Sequence, residues 1–478
     1  MSGNATGAVT LDASKIITTF DIDKPEVRAQ LFRIRGNQGM NFFAILESLG
    51  YSRGITQNKT KQYEEDWIHQ TIHLGNTMTA TANPNEYTFT LGTVSPNQDY
   101  LEQNIVSPYD TAAQYVFPLK QWDIITLPEN NAKLTVTSVV IVGSTATVLA
   151  THSNPTAGPF TLADYVAGVE LIITGNAFSE GSDQDEGLVN KPLIDYNYTQ
   201  IIKSTFKWTG SQAVSQPWFR EYSDGRGIMA YYIVGQENTE YEHALAIDAA
   251  LLFGGLTEIS IVDPTTNEPI QTTEGIEPYI KRKGQNIPYV PGTFSISLFD
   301  YMDKLLEQEG APQWMGVFAG TDLDNEKDNV LKAYFQNTRA DYISDLAKAD
   351  LFGDNPGLAA SVNFRYLQKG YRHWCFTRMP QFNMKKLWGA AGYNTQSLGL
   401  IWPLSTKPDK NNPSNRIPYM GMTYRALGNY SRKAEVFTLL GAGPGQKIQS
   451  ADRNKLNMRS DIGAEHCGGN QMMRLYQA

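Results

Sequence analysis

Apolar and polar side chains alternate with period two through AKLTVTSVVIVG (132–143), STATVLATH (144–152) and GVELIITGNAF (168–178). FPLKQWDIITL (117–127) repeats the pattern, and Pro, Asn and Gly separate the runs at short intervals. Such alternation marks half-buried strands. The region 76–179 is therefore expected to form a small self-contained β barrel or sandwich, set into the chain as an insertion.

Elsewhere the period is helical. ENTEYEHALAIDAALLFGG (237–255) carries Tyr241, Leu245, Ala249 and Leu252 on one face, widened by Ala244, Ile247 and Leu251. Thr239 with Glu242 three residues on has the form of a capping box, and Gly254 stands where the helix should end. Shorter helices are expected at PEVRAQLFRI (25–34) and at GMNFFAILESLG (39–50), the latter through Phe42, Phe43, Leu46 and Leu49 with Gly50 closing it. SISLFDYMDKLLEQEG (295–310) is amphipathic through Leu298, Met302 and Leu305. NEKDNVLKAYFQNT (325–338) has Asp324 or Asn325 to cap it. QWMGVFAG (313–320) reads as a buried strand, and RHWCFTRMP (372–380), SLGLIWPL (397–404), AEVFTLLG (434–441) and NQMMRLYQA (470–478) return to strands that should complete a sheet begun earlier. The fold class is α+β.

Between the β insertion and the long helix lies EGSDQDEGLVNKPLIDYNYTQIIKSTFKWTG (180–210). Asp183 and Asp185 begin a calcium-loop pattern, but Gly187 takes the fifth position, Leu188 the turn glycine and Ile194 the bidentate glutamate. An exposed acidic turn running into a strand is the better description. TDLDNEKD (321–328) fails likewise and reads as acid at a helix N-terminus.

The remaining chemistry is thin. His69 and His73 are four apart without the HExxH glutamate, and His466 and Cys467, as strand neighbours, would point to opposite faces and spoil a zinc set with His373 and Cys375. GAGPGQ (441–446) lacks the third glycine of a dinucleotide loop and the GK[ST] of a phosphate loop. No GxSxG elbow occurs. Neither a cofactor, a metal nor a catalytic residue is assigned, and no enzyme activity is expected.

The chain has 478 residues, enough for two to four domains. A net charge of −9 argues against a broad phosphate-binding surface, while 25 Tyr, 20 Phe and 8 Trp supply the aromatic surface that obligate interfaces use. Cys375 and Cys467 have no partner spacing, which suggests a reducing compartment or the lack of a disulfide framework. The start, MSGNATGAVTLDASK, lacks a signal-peptide pattern, and no run reaches the ~18 apolar residues of a membrane span.

The order of these pieces resembles the major capsid proteins of tailed bacteriophages with the Hong Kong 97 fold. YEEDWIHQTIHL (63–74) resembles the outgoing strand of that family's extended loop and DYNYTQIIKSTFKWTGSQAV (195–214) the returning one. YYIVGQENTEYEHALAIDAALLFGG (231–255) resembles its spine helix, and FRYLQKGYRHWCFTRMP (364–380) and RSDIGAEHCGGNQMMRLY (459–476) later strands. The resemblance implies an N-terminal arm (1–62), an extended loop (63–75 and 191–215), an inserted β domain (76–190), a peripheral domain (216–262 and 421–478) with spine helix 237–253, and an axial α/β domain (263–420). The insertion is similar to those of some large phage capsids, crAss-like phages among them, and no cleavable scaffolding segment is expected.

Such a protein would self-assemble into hexamers and pentamers of an icosahedral shell in the virion. It would be built in the host bacterial cytoplasm beside portal and auxiliary or decoration proteins, with packaged DNA nearby, no sequence-specific DNA binding and no membrane. Tyr196, Tyr198, Ile201, Phe206 and Trp208 would pack on neighbouring subunits or serve as ordinary strand core. Arg28, Arg33 and Arg35 would meet a neighbour's acids or form an exposed helix face without a role. The competing readings are a carbohydrate-binding or hydrolysing β-rich protein, suggested by abundant Tyr and Trp beside acids, and another virion component such as a decoration or tail protein.

Overall fold

The computed structural model describes residues 42–64, 71–91, 119–127, 131–142, 145–183, 193–211, 221–222, 228–229, 231–257, 261–338, 365–383, 395–408, 416–442, 447–448 and 450–477. The architecture is α+β, with helices α1 (Phe42–Ser48), α2 (Tyr231–Phe253), α3 (Ile276–Lys283), α4 (Ile296–Gln308) and α5 (Thr321–Thr338) among the described residues. The chain divides into two compact units. The smaller is built from segments within Ile202–Ala246 and Ala434–Arg459, the larger from Met40–Ile201, Ile247–Lys433 and Ser460–Ala478.

Within the larger unit, the alternating segments form a seven-stranded antiparallel sheet in the order 71–73, 170–176, 123–126, 133–142, 145–152, 86–90 and 79–80. A bridge from Leu74, just past the first strand, to Leu91, just past the sixth (86–90), closes the sheet on itself as a small barrel, with 79–80 paired outside the closure. Alternation drives Leu134, Val136, Ala146, Val148 and Ala150 inward, where they meet Ile72, Phe89, Ile125 and Leu171 in a dry core. A bulge between Val136 and Ser138 breaks the phase, and beyond it Val140, Ile141 and Val142 are exposed.

A second sheet of the same unit is mixed, in the order 285–289, 473–477, 399–403, 314–319, 372–378 and 365–369. The terminal strand Met473–Gln477 runs parallel to Gln285–Tyr289 and antiparallel to Gly399–Pro403, completing a sheet begun almost 200 residues earlier. Trp314–Ala319 lies inside it, flanked on both sides. The buried face of α4 is Phe299, Met302 and Leu306, with Leu298 and Leu305 only flanking it. Phe299 takes that face from the expected leucines because its ring meets Phe294, Trp374 and Phe376 edge-on at 5.4, 5.6 and 6.0 Å. Phe42, Ile45 and Leu46 of α1 are buried as well, Phe42 standing edge-on to Trp402 at 6.1 Å. Gly50, at φ +73°, lets the chain turn back so that Tyr51 N donates to Leu46 O at 2.9 Å.

Three local expectations are corrected. The long helix begins at Tyr231, so Thr239 is interior and caps nothing; its hydroxyl donates to Gly235 O at 2.9 Å, one turn back. Helix α5 begins at Thr321, whose N–H donates to the side chain of Asn383 at 2.8 Å, so Asp324 lies inside the first turn. Its carboxylate pairs with buried Lys327 at 2.7 Å, and Asp328 flanks the same ammonium at 3.1 Å. The single strand expected over 63–74 is not one element: Glu64 ends the strand Lys59–Glu64, and Thr71–His73 belongs to the barrel, because Ile72 is committed to the barrel core opposite Leu171.

In the smaller unit, Glu435–Leu439 pairs antiparallel with Lys455–Arg459, and Arg459 closes a 2.7 Å ion pair on Glu435. The inward side chains of Gln200–Thr209 face the first part of α2: Ser204 and His243 Nδ1 lie 2.9 Å apart, and Phe206 packs on Gly235. A Cβ at Gly235 would overlap the Phe206 ring, so glycine is what lets ring and helix backbone meet.

Candidate assembly surface

Lys59–Glu64 and Leu193–Tyr198 form a two-stranded antiparallel ribbon pairing with no other strand among the described residues. Directly opposed residues share a face. Tyr198 opposes Lys59 and Tyr196 opposes Lys61, with Tyr63 two residues further along the same face. The other face carries Asn197 opposite Thr60, Asp195 opposite Gln62, and Glu64.

That second face is tied to the rest of the chain through three of its side chains, Asn197, Asp195 and Glu64. Asn197 is buried and uses its whole amide: Nδ2 donates to the Glu274 and Ala464 carbonyls at 3.0 and 2.8 Å, and Oδ1 accepts from Glu274 N at 2.8 Å. Arg282, at the end of α3, grips Glu274 with two nitrogens at 3.1 and 2.7 Å and reaches Asp195 at 3.3 Å. Lys283 spans Asp195 and Glu64 at 3.0 and 3.1 Å. Glu64 also accepts from Gly468 N at 2.9 Å. Three carboxylates and two cations thus bind both strands of the ribbon to α3 and to the turn before the terminal strand. Burial alone would push Asp195 up, but Lys283 and Arg282 hold its carboxyl below the usual range. Burial likewise works against the Arg282 charge, and Glu274 and Asp195 overcome it and raise its pKa.

Beneath the cluster, His466 is fully enclosed and stacks on Tyr279 at 4.4 Å and 14°. Burial pushes its pKa down to about 3, so the ring is neutral at physiological pH. A second buried polar anchor ties α2 to α1: Asp248 accepts from Phe42 N and Phe43 N at 3.2 and 2.9 Å and from Gln381 Nε2 at 3.0 Å. Burial raises its pKa to about 6 against the pull of those donors.

Of the residues singled out in the sequence, Tyr196 and Ile201 are 38% and 49% exposed. Tyr198 is half-buried, its ring edge-on to Tyr196 at 5.7 Å. Phe206 and Trp208 stack on each other at 5.6 Å, both half-buried, with Phe206 against α2. Arg28, Arg33 and Arg35 lie outside the described residues, as do helix 25–34, His69 and most of GAGPGQ. His373 stacks on Trp314 at 4.3 Å, while burial raises Cys375 to about 12. No three His, Cys, Asp or Glu side chains come together as a metal site among the described residues, nor is any described helix long and apolar enough to cross a membrane.

Sequence reading missed Asn197, Lys59, Lys61 and the Glu64–Asp195–Glu274–Arg282–Lys283 cluster. The available signals were the parity of YNY (196–198), which puts Asn197 on the face opposite both tyrosines, and the basic end of PYIKRK (278–283).

The model of the SU10 major capsid protein family matches residues 14–345. Among solved structures, a chain from Mycobacterium phage Bobi aligns with 98% of this chain and 99% of its own, at 9% identity and a TM-score of 0.37. The capsid of an empty GTA particle aligns with 64% of this chain and 81% of its own, at 9% identity and a TM-score of 0.33. The capsid of Myoviridae phage XM1 aligns with 63% and 82%, at 10% identity and a TM-score of 0.32. No curated protein matches. The family match spans more than two thirds of the sequence, and the chain belongs to the SU10 major capsid protein family.

Proposed function

We propose that copies of this chain assemble into hexamers and pentamers of an icosahedral shell around double-stranded DNA, and that the anchored ribbon is the extended loop through which each copy reaches a neighbour. Family membership gives the class of protein; the ribbon is the observation that carries the role. Two strands alone are marginal in water, and this pair is fastened by one face while Tyr63, 66% exposed, and Tyr196 stand on the other. A neighbouring copy supplies the missing surface.

In this reading α2 is the spine helix, the barrel is an inserted domain, and residues ahead of α1 form an arm whose Arg28, Arg33 and Arg35 meet a neighbour's acids. Tyr196, Tyr198, Ile201, Phe206 and Trp208 lie in or beside the loop, where the two most exposed, Tyr196 and Ile201, make the intersubunit contact. The role is structural rather than catalytic. Assembly takes place in the host cytoplasm, with portal and decoration proteins joining the shell and DNA lying against it without sequence-specific contacts, as a net charge of −9 favours. Deleting residues 1–24 should lower the yield of shells seen by sedimentation while the chain stays soluble; shells at the full-length yield would remove the arm from the account.

A further inference from the structure

We infer that the outward face of the ribbon is a lysine and tyrosine strip that docks on an acidic surface of a second copy of this chain. This rests on the capsid reading and specifies the chemistry of its contact.

The face carries Lys59, Lys61, Tyr63, Tyr196 and Tyr198, with Ile194 at the register position opposite Tyr63, and every acid of the two strands, Glu64 and Asp195, lies on the other side. Those acids are consumed by Lys283 and Arg282. The outward lysines have no carboxylate within ion-pair reach among the described residues. Lys59 instead sits over aromatic faces, its Nζ 3.9 Å from the centre of the Tyr196 ring and 5.3 Å from that of Tyr198. Lys61 is exposed opposite Tyr196. The two charges are held on an anchored backing and left uncompensated among the described residues.

Charge complementarity selects the occupant. The chain carries 49 acidic residues against 40 basic ones, so a second copy offers acid in excess. Helix α2 alone contains Glu237, Glu240 and Glu242 and no Lys or Arg. A strip of two cations among three tyrosines fits such a surface: carboxylates meet the ammonium groups while the rings cover apolar neighbours. Nucleic acid is the other polyanion a face of this kind could meet, but a chain of net charge −9 repels it at long range.

The test follows assembly of the purified full chain by light scattering against concentration, at low and high NaCl, for wild type, Lys59→Gln/Lys61→Gln, Lys61→Gln alone and Lys59→Arg/Lys61→Arg. Two peripheral ion pairs should shift the threshold concentration roughly two- to thirtyfold. The double glutamine variant should show that rise at low salt, Lys61→Gln about half of it on a logarithmic scale, and the arginine variant none. Near 1 M NaCl, where the screening length is about 3 Å, the variants should converge. Lys61 is exposed, so its single variant reports even if the double variant misfolds. A wild type that assembles alongside glutamine variants with the same threshold at every salt overturns the docking face and leaves the capsid reading standing. A wild type that never assembles overturns both. Loss of binding to a double-stranded DNA fragment with an unchanged threshold assigns the face to nucleic acid and overturns the inference.

Discussion

Asn197→Ala tests whether the ribbon is held as described. The substitution strands three buried backbone groups at once, the Glu274 N–H and the carbonyls of Glu274 and Ala464, which now lie 2.8 to 3.0 Å from the amide. Each buried group left without a partner costs about 1–3 kcal/mol. Three groups sum to about 3–9 kcal/mol, and a water entering the vacated space relieves part of this, which leaves a net loss on the order of 3 kcal/mol as the expectation. A chain of this size need not unfold in two states, so a global midpoint is a poor readout. Hydrogen exchange followed by mass spectrometry reads the local opening directly. Peptides covering 193–198 and 272–275 should exchange roughly a hundredfold faster in the variant, since 1.4 kcal/mol is about a factor of ten. The barrel peptides 133–142 and 145–152 should not change. Asn197→Asp should do no better than alanine, because it sets a carboxylate against the two carbonyls it can no longer serve. Unchanged exchange at 193–198 in both variants would refute the claim that this amide fixes the ribbon.

Two further expectations follow from buried groups. The folded pKa of His466 lies near 3, below the ordinary value of 6.5, so the folded state excludes its proton. Its contribution to stability is fully present above pH 6.5 and is lost as pH falls from there towards 3; at pH 4.5 the loss is about 2–3 kcal/mol. Followed by hydrogen exchange at pH 7.5 and 4.5 and normalised to intrinsic rates, peptides covering 276–283 and 460–466 should lose protection in acid in the wild type and lose less in His466→Phe; an equal loss in the variant would dismiss His466 as its source. Asp248, raised to about 6, works in the opposite sense and gives stability back as pH falls through 6. At the end of α2, a Cβ on Gly254 would overlap the backbone carbonyls of Ala250 and Thr273, which cannot swing aside. Gly254→Ala should speed hydrogen exchange of the peptide covering 247–257 by roughly five- to hundredfold, the equivalent of about 1–3 kcal/mol, and unchanged exchange would mean that the helix terminus is looser than its packing suggests.

Where interactions are local or repeat along the chain, the sequence announces them. The barrel strands were legible because Leu134, Val136, Val148 and Ala150 alternate with polar residues over a single buried face. The strand Trp314–Ala319 was legible as a continuous apolar run, and the close of α1 from Gly50. The start of α2 at Tyr231 was not legible from periodicity, since YYIVG resembles a strand and becomes helix where Gly235 receives the Phe206 ring. The face of α4 was displaced because aromatic partners from 294, 374 and 376 outweigh leucine spacing. The ribbon anchor is the extreme case: Asn197 finds its partners 77 and 267 residues away, and no window of sequence contains them. Tyr196 could be singled out as a strand aromatic, but which side it faces is decided by Asn197 and Asp195 beside it.

The central claim is that this chain closes into a shell through contacts its own fold leaves open. Electron microscopy of the purified full-length protein, imaged over a range of concentration and salt, tests it most directly. The account predicts closed shells or hexameric and pentameric rings, with the ribbon 59–64 and 193–198 seated on an adjacent copy. Particles that remain single chains under every condition would contradict it.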